Sequence, residues 1–433
     1  MTGLARAGKT TFLTSLAANL LAFGAGRPVL PGLAQRLAGR RPQVTLAPVG
    51  AGALPRFDTA SHLAALAADP PAWPARTDAA ALLALDLTIP RQRLGVSLPP
   101  QHLRLELLDY PGEWLLDLPL LRMDFAAWSG GVLRRLELPG AAPYAQEFLA
   151  FSAALPAAAP ADEGLAAAGH RLYRAVLHRL RNEAGLSLLQ PGRFLMPAPG
   201  PEPGWMPFFP LRSSGALQSI LSQRYAAYCD SVQRDLSDPL FGNLDRMVVL
   251  TDLLSALHAG PAAFADVSAS LAEVSGALRW RRSLMETAAA LGRLSLPPRV
   301  LSRVAFAATK CDHVAERQRG NLAALLRAVA APGTSTARAA YLAVAAVRCT
   351  EDFVWTLDGH PVSAVRGRRI GDERLLRSYP GEVPDKPPHA SFWAHRFLEL
   401  PQFEPRRPPE DGRGGIPELG LDSLLLFLLD DVL

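Results

Sequence analysis

Runs of apolar residues along the chain predict the strands of a mostly parallel sheet. Residues 102–108 alternate apolar and polar side chains and then become fully apolar, which is typical of a strand that enters a sheet. Residues 84–89 also read as a strand, and a link with glycine and proline joins the two segments, so we expect an antiparallel hairpin at the sheet edge. Three further segments fit core strands, namely residues 246–252, 304–308 and 341–347.

Between these strands lies a long segment with a mostly helical pattern. About 130 residues separate Trp114 from Arg246. Gly164–Leu186 carries leucine, alanine and arginine at helical spacing, and Gln218–Leu236 is similar. The proline-rich stretch between them predicts an extended loop whose aromatic residues pack against these helices or, alternatively, form a docking surface for a partner. Those aromatic residues are Trp205, Phe208 and Phe209.

The pattern changes again after residue 350. Asp-Gly between two strand-like stretches predicts a hairpin over 353–362. Residues 421–429 predict a short apolar helix that docks on the core or, alternatively, on a membrane-bound partner. The fold class is therefore α/β, with a doubly wound, mostly parallel sheet. The expected division is a discontinuous core (1–124 and 240–350), a mostly helical insertion (125–239) and a C-terminal hairpin, linker and short helix (351–433).

Composition indicates a globular protein and argues against several functional classes. Apolar residues make up 49% and charged residues 20%, and no apolar run reaches the roughly 18 to 20 residues of a membrane helix. Three cysteines and nine histidines are scattered without metal-binding spacing, which argues against a metal-ligand enzyme. The net charge of +5 comes from dispersed basic residues, so no nucleic-acid partner is expected. The start of the sequence lacks the pattern of a secretion signal, so nothing argues for secretion.

The strongest chemical signal is a phosphate-binding loop at the start of the chain. Residues 3–10 read G-L-A-R-A-G-K-T and match G-x-x-x-x-G-K-[ST] at every position. In such a loop backbone N–H groups face the phosphates, Lys9 adds a positive charge and Thr10 offers a hydroxyl to Mg²⁺. Only three of the 45 basic residues are lysine, which indicates that the compact ammonium of Lys9 matters at this position. The candidate phosphate-binding residues are Gly3, Ala5, Arg6, Ala7, Gly8, Lys9, Thr10 and Thr11; the competing interpretation is an ordinary glycine-rich helix start.

A second motif follows the strand that ends near residue 108. Asp109 and Gly112 match D-x-x-G, in which the aspartate holds Mg²⁺ through water and the glycine N–H meets the γ-phosphate. The alternative is that Asp109 is a simple strand-end cap. Glu113 stands where a glutamine orients the attacking water in Ras-like proteins. A carboxylate there would oppose the phosphate charge, so Glu113 is either catalytic or structural.

A third motif would select the base. Thr309, Lys310 and Asp312 match T/N-K-x-D, in which the aspartate accepts hydrogen bonds that guanine offers and adenine does not. The run that ends near Cys349 falls where the last base-contacting loop would lie, so Cys349 is a further candidate. Thr77 is the candidate for sensing Mg²⁺ and the γ-phosphate; Thr88 competes with it but lies inside a strand.

These motifs together resemble the YcjX-like family of bacterial P-loop GTPases. The resemblance also includes W-P-A-R-T at 73–77, D-Y-P-G-E-W-L-L-D-L-P-L-L at 109–121, A-A-T-K-C-D-H at 307–313, S-Y-P-G-E-V-P at 378–384 and S-F-W at 391–393. It implies a Ras-like core with a helical insertion, binding of guanine nucleotide and Mg²⁺, and a bacterial cytoplasmic stress protein associated with an inner-membrane partner. Family members carry a strand before the phosphate loop, so we expect an upstream segment with an apolar strand that ends at Thr2.

The function predicted from these motifs is slow hydrolysis of GTP to GDP and phosphate by a conformational switch, which the family resemblance assigns to the bacterial envelope or stress response. Ala5 stands where small GTPases need clearance for a partner's arginine, which leaves the mode of acceleration open. One alternative is a P-loop ATPase or kinase, against which Asp312 argues. Another is a nucleotide-stabilised scaffold with little hydrolysis, which Glu113 leaves open.

Overall fold

In this computed structural model, the described part of the chain begins at Thr2 and has several gaps. The described residues are 2–4, 7–50, 54–74, 80–93, 96–197, 203–204, 206–237, 244–290, 301–330, 338–372, 374–394, 400–409 and 413–433. At residues 2, 93 and 279–290 only the backbone is described.

Within these residues the strands form three sheets. In chain order the strands are β1 (Thr2–Gly3), β2 (Gln43–Leu46), β3 (Ala81–Arg93), β4 (Val96–Asp109), β5 (Arg246–Thr251), β6 (Arg303–Ala308), β7 (Ala339–Ala343), β8 (Thr350–Leu357), β9 (His360–Arg368) and β10 (Leu375–Ser378). A parallel sheet has the order β1-β5-β6-β7, and two antiparallel sheets have the orders β2-β3-β4 and β10-β9-β8.

Helices connect and cover the strands. In chain order the α-helices are α1 (Lys9–Gly24), α2 (Pro31–Arg36), α3 (Thr59–Ala67), α4 (Phe125–Leu136), α5 (Ala142–Ala154), α6 (Glu163–Asn182), α7 (Gly192–Leu195), α8 (Ala216–Val232), α9 (Leu253–Ala259), α10 (Pro261–Ala290), α11 (Glu316–Ala330) and α12 (Leu421–Leu429). Helices of the 3-10 type span Gly112–Arg122, Cys311–His313 and Ala390–Ala394, and a π-helical turn spans Gln233–Ser237.

The parallel sheet is buried on both faces, as its continuous apolar strands predict. Val249 and Phe306 belong to one hydrophobic cluster, whereas their neighbours Leu250 and Ala307 belong to another on the opposite face. Successive side chains of a strand point to opposite sides of the sheet. The first cluster joins the sheet to the helical segment after residue 125, and the second joins it to α1, β3 and α12. This arrangement confirms the predicted α/β class.

The predicted hairpin is confirmed, but its strands are longer and a third strand joins it. β3 pairs with β4 from Ala81–Asp109 at one end to Arg93–Val96 at the other, beyond the predicted 84–89 and 102–108. The extra strand β2 pairs with β3; its four residues are too few to predict it from alternation alone. At the start of the phosphate loop, Thr2 and Gly3 form β1, which pairs in parallel with Val249 and Leu250.

The segment from Phe125 to Val232 is mostly helical and has an aromatic core. Helices α6 and α8 lie where helical spacing predicts them. Phe208 and Phe209 are fully buried, and Phe208 packs on Trp128 with 5.5 Å between ring centroids. Burial against the helices is thus confirmed for these two residues, while Trp205 lies outside the described residues.

The C-terminal region returns to the core. The β8–β9 hairpin is confirmed, and the buried Leu421 and Leu424 of α12 pack in the sheet cluster, so docking on the core is confirmed too. The Asp422 carboxylate accepts hydrogen bonds from the backbone N–H groups of Gly32 (2.6 Å) and Leu33 (3.0 Å). Among the described residues, none of the helices combines the length and apolarity needed to cross a membrane.

Candidate nucleotide-binding site

The phosphate loop leaves the parallel sheet at β1 and leads into α1. The Leu4 N–H donates to the Leu250 carbonyl at 3.0 Å, which fixes the loop on the edge of β5. Gly8 has a φ of 76°, a left-handed conformation that favours glycine, and α1 begins at the next residue. The Lys9 ammonium donates to the Gly3 carbonyl at 3.2 Å. The loop is therefore closed by its own lysine, while Ala5 and Arg6 lie outside the described residues.

The first turn of α1 carries the next two predicted residues. Thr10 and Thr11 follow Lys9 directly, and the Thr10 carbonyl accepts a hydrogen bond from the Thr14 hydroxyl at 2.8 Å. The Ala7 N–H donates to the Leu4 carbonyl at 3.2 Å. The N-terminus of a helix of this length presents backbone N–H groups and a positive dipole end, both of which favour phosphate.

The D-x-x-G segment lies directly against this loop. A Cβ at Gly112 would come within 1.6 Å of the Gly3 carbonyl oxygen and 3.3 Å of the Lys9 ammonium, so only glycine allows this approach. The fold thus brings the first glycine of the loop, its lysine and the predicted γ-phosphate sensor into one place.

Asp109 is suited to hold a metal ion. It is 2% exposed, and its Oδ1 has no hydrogen-bond partner among the described residues. Burial raises the pKa of Asp109, and the charge of Lys9 opposes this shift. A buried carboxylate oxygen without a donor is an unfavourable arrangement that a hydrated cation relieves. Asp109 therefore fits Mg²⁺, which usually takes one or two protein ligands together with water and phosphate oxygens. Thr10, the other predicted ligand, lies in the first turn of α1 next to Lys9.

The described residues hold no cluster of three or more histidine, cysteine, aspartate or glutamate side chains that would bind a metal by itself. Magnesium does not need one, because nucleotide phosphates and water supply most of its ligands.

The base-selecting motif follows β6. The Thr309 N–H and hydroxyl both donate to the Thr251 carbonyl, at 2.8 and 3.2 Å. Asp312 is 2% exposed, and its Oδ2 accepts from the Cys349 N–H at 2.7 Å. The Thr350 hydroxyl donates to the Asp312 carbonyl. The structure therefore brings Cys349 to the motif, as expected from its place in sequence, although β7 ends at Ala343 rather than near residue 347.

Lys310 has a buried partner that the sequence motifs do not indicate. Its ammonium lies 2.5 Å from Oδ2 of Asp252, the residue that follows β5 and caps α9 through the Ser255 N–H at 2.9 Å. Burial raises the pKa of Asp252, but the Lys310 charge and the hydrogen bonds from Lys310 and Ser255 outweigh it and hold the pKa below its usual value. Lys310 itself has a φ of 60°, so its side chain leaves the chain from a left-handed backbone.

One cavity connects the loop to the base-selecting motif. It has a volume of about 360 Å³ and is lined by Gly8 and Thr11 at one end and by Lys310, Asp312 and Cys349 at the other. Small-molecule sites are commonly concave pockets of a few hundred cubic ångströms with a few well-placed polar groups. The cavity therefore joins part of the phosphate loop, namely Ala7, Gly8 and Thr11, to the predicted base residues.

Glu113 faces the helical segment. Its Oε1 lies 2.7 Å from Nη2 of Arg181 on α6, and the two side chains are only 7% and 9% exposed. The two groups are close enough to form an ion pair, but Nη2 of Arg181 has no hydrogen-bond partner among the described residues. A catalytic role for Glu113 stays a prediction, and Thr77 lies outside the described residues.

Asp117 lies four residues after Glu113 in the 3-10 helix Gly112–Arg122 and is completely buried. It connects this helix to the helical segment. Asp117 accepts hydrogen bonds from the N–H groups of Gly192 (2.7 Å) and Arg193 (3.3 Å) and from the Tyr228 hydroxyl (2.6 Å). Burial raises its pKa to about 6 despite these donors. Sequence reasoning missed this junction, because its donors are far away along the chain.

The geometry agrees with the comparisons to known proteins. The model of the YcjX-like family matches residues 1–433. The chain belongs to the YcjX-like family. It is similar to a protein named Ras-like GTPase YcjX from Escherichia coli K12, with 33% identity over 460 residues that cover the whole chain and 95% of the relative. A protein of the same name from Shewanella oneidensis is 30% identical over 479 residues, which cover the whole chain and 94% of that relative. The resemblance seen in the motifs is therefore confirmed over the full length.

Proposed function

We propose that this YcjX-like protein binds GTP with Mg²⁺, hydrolyses it slowly to GDP and phosphate, and acts as a conformational switch. The observation that carries the proposal is the single cavity that runs from the phosphate loop to Lys310 and Asp312. The names of both relatives support GTPase chemistry.

At the phosphate end, the loop N–H groups and Lys9 bind the β- and γ-phosphates, and Asp109 and Thr10 hold Mg²⁺. When bound by these residues, Mg²⁺ would supply positive charge against the phosphate oxygens. Because Gly112 lies against Gly3, its N–H is suited to sense the γ-phosphate. Water attacks the γ-phosphorus, and the bond to the GDP oxygen breaks.

At the base end, Asp312 supports guanine over adenine. One of its oxygens is held by the Cys349 N–H, which orients the carboxylate. Guanine N1–H and N2–H₂ can donate to a carboxylate, whereas adenine would leave it buried and unpaired. The same reasoning disfavours an ATPase or kinase.

The chemical nature and the partner of Glu113 support slow hydrolysis. A glutamine at this position would orient water, but Glu113 is a carboxylate held by Arg181. The same ion pair favours a second candidate, a scaffold that binds guanine nucleotide and scarcely hydrolyses it. Turnover rates of the unmodified protein distinguish the two, because a scaffold would release no phosphate above the no-enzyme control.

The switch is supported by the 3-10 helix Gly112–Arg122. Its first residue lies on the phosphate loop, and its Glu113 and Asp117 bind the helical segment. A shift of Gly112 on loss of the γ-phosphate would therefore move groups that are bonded to α6 and α7. Family membership extends the proposal to a cytoplasmic protein of the bacterial stress response that meets an inner-membrane partner.

The test is calorimetry of GDP, GTP and ATP with Mg²⁺ on the full chain and on Asp312→Asn. We expect the unmodified protein to prefer guanine nucleotides and the variant to lose GDP affinity by about 100-fold or more. Xanthosine diphosphate serves as the matched probe, because its C2 carbonyl accepts from an asparagine amide and should bind the variant better than the unmodified protein. Equal or tighter binding of ATP by the unmodified protein would reject the GTPase proposal.

A further inference from the structure

The outer wall of the nucleotide cavity comes from residues outside the phosphate loop, the D-x-x-G motif and the base-selecting motif. Besides the loop and the base-selecting residues, the cavity is lined by Trp73 and by Leu400, Pro401, Gln402 and Phe403. The last four belong to the C-terminal region, outside the predicted GTPase core. They lie at the end of the cavity that contains Asp312, because Phe403 packs on His313 with 5.1 Å between ring centroids.

The C-terminal sheet places this segment there. The Ile370 N–H donates to the Gln402 carbonyl at 3.1 Å, and the Glu404 N–H donates to the Arg368 carbonyl at 2.8 Å. The segment thus extends the sheet that contains β9. At Gly367 a Cβ would come within 2.8 Å of the Phe403 ring and 3.0 Å of the Cys349 carbonyl. A glycine is therefore needed for β9 to approach both the segment and the base-selecting loop.

Trp73 also holds the segment Leu400–Phe403 in place. Its indole N–H donates to the Phe403 carbonyl at 3.1 Å, across 330 residues of sequence. Phe403 is 1% exposed, whereas Trp73 is 37% exposed. A partly exposed tryptophan beside a cavity still has apolar surface to bury, and a planar base is a suitable partner for it.

We infer that Trp73 and the segment Leu400–Phe403 form an aromatic and apolar wall that packs on the guanine base, so that the C-terminal region is part of the nucleotide site. The inference rests on the proposed function and adds to it base-packing residues. Asp312 reads the edge of the base, and the wall holds its flat faces.

The test compares Trp73→Leu and Phe403→Leu with the unmodified chain and with Trp355→Leu, a control on β8 that does not line the cavity. Calorimetry and dissociation kinetics of GDP with Mg²⁺ are the readouts. Loss of an aromatic partner of a base weakens binding by about tenfold. We expect this loss in Trp73→Leu, mostly as faster dissociation, and a smaller loss in Phe403→Leu, because the buried Phe403 ring packs on His313 and positions the wall. The control variant should match the unmodified protein. Trp73→Phe, which keeps a ring but loses the N–H donor, should give an intermediate loss.

Inorganic pyrophosphate with Mg²⁺ separates packing on the base from general damage. A wall that contacts only the base leaves pyrophosphate affinity unchanged, so an equal loss of pyrophosphate and GDP would overturn the inference. GDP binding within twofold of the unmodified protein in both wall variants would also overturn it while the proposed function stands. If the unmodified chain bound no guanine nucleotide, the proposed function and the inference would both be rejected.

Discussion

Two buried aspartates at the ends of one short segment have opposite surroundings. Asp109 ends β4 next to the phosphate loop, and its Oδ1 has no hydrogen-bond partner within the described residues. Asp117, in the following 3-10 helix, accepts from two backbone N–H groups and a tyrosine hydroxyl. Both are 2% exposed or less.

The difference indicates what each aspartate is for. The fold satisfies a buried carboxylate when that carboxylate is part of the structure, as it does for Asp117. An unsatisfied one reduces stability unless a ligand completes it. The phosphate end of the segment is thus arranged for a ligand and the other end for the helical segment. The two ends should respond differently to mutation.

Replacing Asp117 should have the largest effect. In Asp117→Ala the N–H of Gly192 and the hydroxyl of Tyr228 lose their acceptor in a dry interior. We expect the free energy of unfolding to fall by about 3 to 5 kcal/mol, measured by urea denaturation without nucleotide. The control is Glu137→Ala, which removes an exposed pair with Arg212 and should cost less than about 1 kcal/mol. A loss in Asp117→Ala no larger than in the control would contradict the comparison.

The pH dependence of stability provides the next test. Burial raises the pKa of Asp117 from its ordinary value of 3.8 to about 6 in the folded chain. Between these values the folded state holds a proton that the unfolded state has released, so stability falls as pH rises and is constant above about 6. We expect the stability of the unmodified chain to fall by about 2 kcal/mol relative to that of Asp117→Asn from pH 4 to pH 7.

Urea denaturation of both proteins across this range measures the difference, in which the other titrating groups cancel. A rise in the relative stability of the unmodified chain with pH would mean that the three donors dominate over burial and that Asp117 is held ionised.

Local sequence motifs predicted a ligand-binding role for Asp109, but they did not predict the structural contacts of Asp117. The residues around the loop follow from spacing within short segments: Gly3 to Thr10, and Asp109 to Gly112. The donors to Asp117 lie 75 to 111 residues away, and a single sequence has no signal for such pairings. The same holds for Trp73 and Phe403, which meet across two separate regions.

Strand existence was also easier to predict than strand length. The continuous apolar runs of β5 and β6 mark strands buried on both faces. By contrast, β3 and β4 extend past the apolar residues into exposed positions such as Gln92 and Ser97. Backbone pairing, rather than side-chain burial, continues the hairpin there, and side-chain patterns do not report backbone pairing.

Asp109→Asn should have the smallest effect. Without ligand, it should change stability in the opposite direction to Asp117→Ala. The substitution keeps the volume but removes a buried charge without a donor, so we expect the melting temperature without ligand to stay the same or rise. Affinity for GTP in the presence of Mg²⁺ should fall by about 10- to 100-fold, the usual cost of losing a group that orients a metal through its shell. With the Mg²⁺ removed by a chelator, the variant should bind GTP at least as tightly as the unmodified protein, because the Asp109 carboxylate no longer opposes the phosphate charge. A lower melting temperature together with unchanged Mg²⁺ dependence would assign Asp109 to the fold, as Asp117 is, and the contrast between the two ends of the segment would be lost.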